Sequence, residues 1–120
     1  MLDLDTHVLL HALTGGSTGA ERRILSRDSW SISAIVLWEI AKLAQSGRID
    51  VDLHDPEFVR VLSRIPVWPL TLDVCRAIAG LDFRGDPADE IIAATSVVHH
   101  VPLMTRDRRI RSSRRVPIAV

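Results

Sequence analysis

Apolar residues change their spacing several times along the chain, and each change marks an element. Leu2 to Asp5 is too short to classify alone, but it runs directly into Thr6-His7-Val8-Leu9-Leu10-His11-Ala12-Leu13, whose apolar positions recur at helical period; a strand followed by a helix is expected. Gly15-Gly16-Ser17 ends that helix, Ser17 or Thr18 is placed to cap the next, and Ala20 to Arg27 continues at helical period with its charges outward. Trp30-Ser31-Ile32-Ser33 reads as a short strand, and Ser33 as the cap of a long helix from Ala34 to about Ser46 that Gly47 stops. Asp55-Pro56-Glu57 is a cap followed by a first-turn proline, opening a helix with Phe58, Val59, Val61, Leu62 and Ile65. Val67-Trp68-Pro69-Leu70 reads as a strand whose proline favours an edge. Thr71 then caps a helix through Cys75 to Ala79, stopped by Gly80. Asp86-Pro87-Ala88-Asp89 repeats the cap-proline signature and opens an almost wholly apolar helix to His99, rich in small residues. Pro102 to Thr105 reads as a strand, Asp107 to Arg111 as a single turn, and Val116 to Val120 as a last short strand.

Strands alternating with helices imply right-handed crossovers and a sheet covered on both faces. The expected class is α/β, three layers α/β/α around a mainly parallel sheet. With 120 residues, 47% of them apolar, and no internal repeat or linker, residues 1–120 are expected to form one domain. No apolar run approaches the roughly 18 residues of a membrane span, and the start lacks a signal-peptide pattern, so a cytoplasmic protein without a membrane partner is expected. The single cysteine, Cys75, excludes an internal disulfide and a cysteine zinc site and reads as a reduced core residue. Trp30, Trp38 and Trp68 read as core or interface anchors. Trp38, with Leu37, Ile40 and Leu43, makes its helix apolar around much of its circumference, which requires deep burial or a partner.

The formal net charge is zero, but it is unevenly spread. Residues 1–103 carry a balance of minus five, whereas residues 104–120 hold six arginines against Asp107 alone. The body is acidic and the tail basic.

In open parallel sheets the reactive crevice lies beyond the carboxyl ends of the strands. Asp5 ends the first strand, Asp107 follows the Pro102–Thr105 strand, Asp89 lies in the first turn of a helix, and Glu39 is about two turns into the helix after the second strand. Each has an ordinary reading. Asp5 can cap its helix; Asp86 with Asp89 resembles a capping box; Glu39 can pair with Lys42; Asp107 can be a turn residue. One hypothesis accounts for all four together, because clustered carboxylates without cysteine are the donors that Mg²⁺ and Mn²⁺ prefer, and such a cluster is unstable without a cation. Other chemistries fit less well. Asp3-Leu4-Asp5 resembles the Asp-x-Asp of haloacid-dehalogenase-like phosphatases, but His7 departs from that motif. Gly15-Gly16-Ser17-Thr18-Gly19 follows a helix and lacks a P-loop lysine, and His7 with His11 lacks a third ligand.

Four ordered segments carry a family resemblance over essentially the whole chain. They are Leu4-Asp5-Thr6-His7-Val8-Leu9-Leu10; Ser33 to Lys42 with Gly47-Arg48-Ile49 behind it; Asp86-Pro87-Ala88-Asp89-Glu90-Ile91-Ile92-Ala93-Ala94-Thr95; and Leu103-Met104-Thr105-Arg106-Asp107. Together they resemble the successive motifs of PIN-domain ribonucleases, in particular the VapC-like toxins of type II toxin–antitoxin pairs. The resemblance implies a PIN-like fold and metal-dependent endoribonuclease activity. Its four acids fall on Asp5, Glu39, Asp89 and Asp107, as catalytic residues and ligands of Mg²⁺ (or Mn²⁺). Asp86 stands nearby as a supporting acid, and Thr6, Ser33 and Thr105 match polar positions that orient acids or water. Asp3 lies on the same strand face as Asp5, so periodicity does not separate them; the Asp-Thr-His pattern selects Asp5. The implied partners are an RNA substrate, a VapB-like antitoxin and a second copy in a homodimer. Arg106, Arg108 and Arg109 are candidate RNA-backbone contacts, with Arg111, Arg114 and Arg115 behind them. The alternative is a PIN-like module that binds nucleic acid or protein without cleaving.

Overall fold

The computed structural model describes all residues, 1–120. Four strands, β1 (Leu2–Leu4), β2 (Trp30–Ser33), β3 (Val67–Trp68) and β4 (Leu103–Met104), pair in the order β3-β2-β1-β4 with every pairing parallel. The connections are α1 (Thr6–Thr14) and α2 (Gly19–Leu25), α3 (Ala34–Gln45) and α4 (Pro56–Leu62), α5 (Leu72–Ile78) and α6 (Pro87–His99), with α7 (Arg108–Arg111) after β4. The chain steps outward from β1 to β3 and then returns to the other side of β1. Strand order therefore reverses at the carboxyl end of β1, where Asp5 stands.

Local chemistry sets the boundaries. Asp5 accepts the Val8 N–H and starts α1, and Gly15, in the left-handed region at φ 83°, ends it. Thr18 and Glu21 form a reciprocal capping box on α2. Asp107 accepts the N–H groups of Arg109 and Ile110 and so opens α7. Three expectations are corrected. The Val116–Val120 strand is reduced to one bridge, Ile118 beside Leu103, because β4 is only two residues long and Pro117 has no N–H to donate. Asp86 occupies the N-cap of α6, but its side chain bonds no helix amide, so no capping box forms there; Pro87 at the first position sets the helix start. Cys75 is exposed, since α5 is short and buries only Val74.

The two faces of the sheet differ. Leu2, Leu4, Ile32 and Met104 point to one face and join a core with Val8, Leu9, Val36 and Ile40. The opposite face carries Asp3, Ser31 and Ser33, all fully buried under α6. There the Ser96 hydroxyl donates to Asp3 Oδ2 at 2.8 Å, and the Thr95 hydroxyl approaches Ser33 Oγ at 3.4 Å. Ser31 donates to the Leu2 carbonyl and accepts the Trp68 indole N–H, while the Trp68 ring stacks on His99 with centroids 4.0 Å apart. Trp68 is thus an anchor inside the fold. Trp38 is not: 56% of it is exposed, so of the two options for α3, deep burial is excluded at that position.

Asp3 is enclosed, and its Oδ1 has no hydrogen-bond partner. Burial, only partly offset by the Ser96 bond, pushes its carboxyl up to about 7, with the Asp5 charge adding to the shift. Between the ordinary 3.8 and that value the folded protein retains a proton that the unfolded chain releases, so stability falls as pH rises through this window, by about 4 kcal/mol in all. Asp3→Asn removes this titration. In urea unfolding with EDTA, its stability relative to the parent is expected to rise steadily from pH 4 to pH 8; parallel pH profiles would show that Asp3 is not the source.

Candidate functional site

The carboxyl edge of the sheet gathers acids from four segments. Asp5, just past β1, still donates its N–H to the Met104 carbonyl of β4 and is therefore fixed between two strands. Its Oδ1 caps α1 through Val8, at 2.9 Å, while Oδ2 accepts the hydroxyl of Thr105. The capping reading of Asp5 is correct, yet it uses one oxygen only. Thr105 is buried at the end of β4; its hydroxyl also accepts the Asp107 N–H at 3.1 Å, so Asp5 and Asp107 share one orienting group.

Glu39 lies on α3, which begins at the carboxyl end of β2 with Ser33 as its cap. The Thr6 hydroxyl, at the first position of α1, donates to Glu39 Oε1 and draws that carboxylate toward the Asp5 corner. Lys42, the expected ion-pair partner, is engaged with Gln45 instead. Asp89 lies in the first turn of α6 and is half-buried; Asp86, one turn earlier, is exposed.

The electrostatics show which charges converge. Burial raises the Asp89 carboxyl to about 6, with the charges of Glu39, Asp107, Asp86 and Asp5 all pushing the same way. Asp5 is raised chiefly by burial, against the bonds from Thr105 and Val8, and Asp107 adds further repulsion. Acids between 18 and 102 residues apart in sequence therefore meet in space, Asp89 feeling the charges of all the other three. Asp3 stands apart from this rim because it is sealed beneath α6.

No three acidic or histidine side chains close on a single point as a ready cage. The donor set nevertheless suits a hard, hydrated cation. It is all carboxylate, with neither sulfur nor imidazole, and such ions are held by one or two carboxylates while keeping several waters. A preformed three-acid cage of bare charges would be strongly self-repelling, and the hydroxyls of Thr6 and Thr105 orient two of the acids at this rim. His7 is exposed and, with His11, forms no metal-binding group.

The arginines are redistributed relative to expectation. Arg106 is engaged in a fork with Glu21, Arg109 donates to the Arg84 carbonyl, and Arg111 donates to the Thr105 carbonyl. Arg108 is exposed, and its guanidinium makes no hydrogen bond within the chain. Sequence reasoning missed Thr95 beside Ser33, although it lies within the quoted Ile-Ala-Ala-Thr run. It also missed Glu21, which no local signal could join to a residue 85 positions away. The open cavities of about 330 and 560 Å³ flank Trp30 at the opposite edge of the sheet and contain none of the four acids.

The family model described as PIN domain matches residues 4–115. The chain belongs to the PIN-domain family. It is similar to Ribonuclease VapC22 of Mycobacterium tuberculosis, with 34% identity over 101 residues covering 82% of this chain and 78% of that protein. Two solved structures share the fold. One is a toxin–antitoxin complex from Klebsiella pneumoniae, at a TM-score of 0.72 and 19% identity over 93% of this chain and 91% of that one. The other is VapBC2 from Rickettsia felis bound to a promoter DNA fragment, at 0.73 and 15% over 98% and 96%. The match spans all four acid-bearing segments, so the site of this PIN domain lies wholly inside the family region.

Proposed function

We propose that this PIN-domain protein is an endoribonuclease, the toxin of a toxin–antitoxin pair, which hydrolyses RNA phosphodiesters with Mg²⁺ or Mn²⁺ at Asp5, Glu39, Asp89 and Asp107. The observation that carries the reading is the gathering of four carboxylates at the switch point of the sheet, two of them oriented by the Thr6 and Thr105 hydroxyls, with Asp89, raised chiefly by burial, also feeling the charges of the other three. A nearby cation relieves that repulsion, and a binding module that never met one would gain stability by losing the charges. The relative named Ribonuclease VapC22 supports RNA as substrate, and the toxin–antitoxin complexes support an antitoxin partner.

When bound, such an ion lowers the pKa of water and screens the charge that develops on phosphate oxygens. The chain's own part is positional. Asp5 and Asp89 present oxygens from a strand end and a helix start, both rigid. Thr6 holds Glu39 and Thr105 holds Asp5, each through a buried hydroxyl that fixes carboxylate orientation. Ser33 sets the start of the helix that carries Glu39, and Asp86 adds negative potential without a helix bond. Arg108, beside Asp107 with a free guanidinium, is placed to contact the RNA backbone. The expected products bear 5′-phosphate and 3′-hydroxyl ends.

Purified protein with Mn²⁺ is expected to cut RNA, and excess EDTA to stop it. Loss of an outer-shell partner at a metal site costs about 10- to 100-fold, so Asp5→Asn and Asp89→Asn are expected to lose more than about 100-fold and Thr6→Val or Thr105→Val to fall within that range. Asp86→Asn is expected to lose less than about tenfold. Full cleavage in EDTA contradicts the metal reading, and RNA binding without cleavage under any divalent ion favours the non-catalytic module.

The partners follow from surface chemistry. Leu37 and Trp38 are adjacent and exposed on α3, and Leu70 and Leu72 are exposed at the start of α5, apolar surface that a partner would cover. An isologous homodimer covers them. The acid cluster attracts cations, so an antitoxin arginine, always charged and forked, is suited to pair with two of its carboxylates and take the place of the ion. Light scattering at micromolar concentration is expected to give a dimer mass, and Trp38→Asp a monomer; a dimer unaffected by that substitution places the interface elsewhere.

A further inference from the structure

Arg106, set beside Asp107 in a basic tail, looks like a phosphate contact in sequence, but its Nε and Nη2 are already engaged within the chain. Nε donates to Glu21 Oε2 at 2.8 Å and Nη2 to Glu21 Oε1 at 2.6 Å, the two-pronged arrangement in which arginine and carboxylate fit best. Nη2 also donates to the Gly16 carbonyl at 3.0 Å. Glu21 is in turn held by the Thr18 N–H at 2.8 Å, and only 15% of its side chain is exposed. The Arg106 bonds hold its carboxyl down at about 2, so the pair remains charged throughout the working pH range.

The connectivity gives the contact its meaning. Two consecutive residues of the loop after β4 reach the two ends of one helix. Thr105 donates to Asp5, the N-cap of α1, while Arg106 donates to Gly16, just past the Gly15 C-cap of the same helix. The opposite side of the loop is held where Arg111 donates to the Thr105 carbonyl. Asp107 follows directly as the N-cap of the four-residue α7, just past the two-residue β4, and faces the charges of Asp5 and Asp89. A carboxylate so weakly supported by secondary structure needs its loop fixed by side chains.

We propose that Arg106 and Glu21 form a clamp that straps the loop of residues 105–107 to α1 and so positions Asp107 relative to Asp5, Arg106 being a positioning residue and not an RNA contact. This rests on the metal site proposed above. It distinguishes Arg106 from Arg108, two positions on, whose guanidinium is free.

The test measures metal and RNA separately on the full chain. Mn²⁺ affinity is titrated calorimetrically without RNA, and affinity for a mixed-sequence RNA oligonucleotide is followed against salt in EDTA. The variants are Arg106→Gln, Glu21→Gln, and the exchange Arg106→Glu with Glu21→Arg. Glutamine at position 21 preserves the capping box, so α2 is retained. Both single variants are expected to weaken Mn²⁺ binding by a similar factor, about tenfold, as for an outer-shell partner, and the exchange to recover most of it. The salt dependence of RNA binding is expected to stay that of the parent in all three. A role confined to stability would lower the melting temperature and leave Mn²⁺ affinity intact, which overturns the proposal. So does an RNA salt slope reduced by about one in Arg106→Gln but not in Glu21→Gln, the mark of a lost phosphate contact. A parent protein that binds no Mn²⁺ overturns the metal reading itself, and the clamp's purpose with it.

Discussion

Like charges held together at the edge of a parallel sheet are the constraint around which this molecule is arranged. Asp5, Glu39, Asp89 and Asp107 come from a strand end, two helices and a short turn; the other three charges disfavour ionised Asp89, and Asp107 disfavours ionised Asp5. Without directed contacts the side chains would turn away into water. Two buried hydroxyls oppose this locally, Thr6 on Glu39 and Thr105 on Asp5, and because both threonines are themselves fixed by strand ends and helix starts, the restraint is passed to the sheet. The same atoms serve two purposes. Asp5 and Asp107 each cap a helix with one oxygen, which orients the carboxylate while leaving the second oxygen available, Asp5's being tuned by Thr105.

The sheet supplies the rigidity. Its apolar face, Leu2, Leu4 and Ile32, joins the main core, whereas the face toward α6 is studded with Asp3, Ser31 and Ser33. Placing a carboxyl as enclosed as Asp3 beneath a helix is unfavourable, and the Ser96 bond meets only part of the cost. The strand alternation that aims Asp5 at the rim also aims Asp3 at this covered face two residues earlier.

Much of this was legible in the chain because its signals are local. Cap-and-proline pairs at Asp55-Pro56 and Asp86-Pro87, the glycines after α1 and α3, and the helical period of residues 6–13 depend on neighbours a few positions away, and the corresponding helices form. Candidate acids were legible through their positions at strand ends and helix starts. Periodicity alone did not separate Asp5 from Asp3; burial does, since only one of them reaches the rim. What failed was tertiary. Cys75 faces outward because a seven-residue helix buries a single position, and the last strand shrinks to one bridge because its partner is short and Pro117 lacks a donor. The engagement of Arg106 was not legible for a similar reason, since its partner Glu21 lies 85 residues away.

If these carboxylates form one site, its occupant must be found between them. Diffraction from crystals grown with Mn²⁺, recorded where manganese scatters anomalously, locates the ion directly. The account predicts a peak bonded to oxygens of Asp5 and Asp89, with Glu39 and Asp107 bound to it or to its waters. A protein that takes up Mn²⁺ elsewhere, leaving these four carboxylates in their present positions, would contradict it.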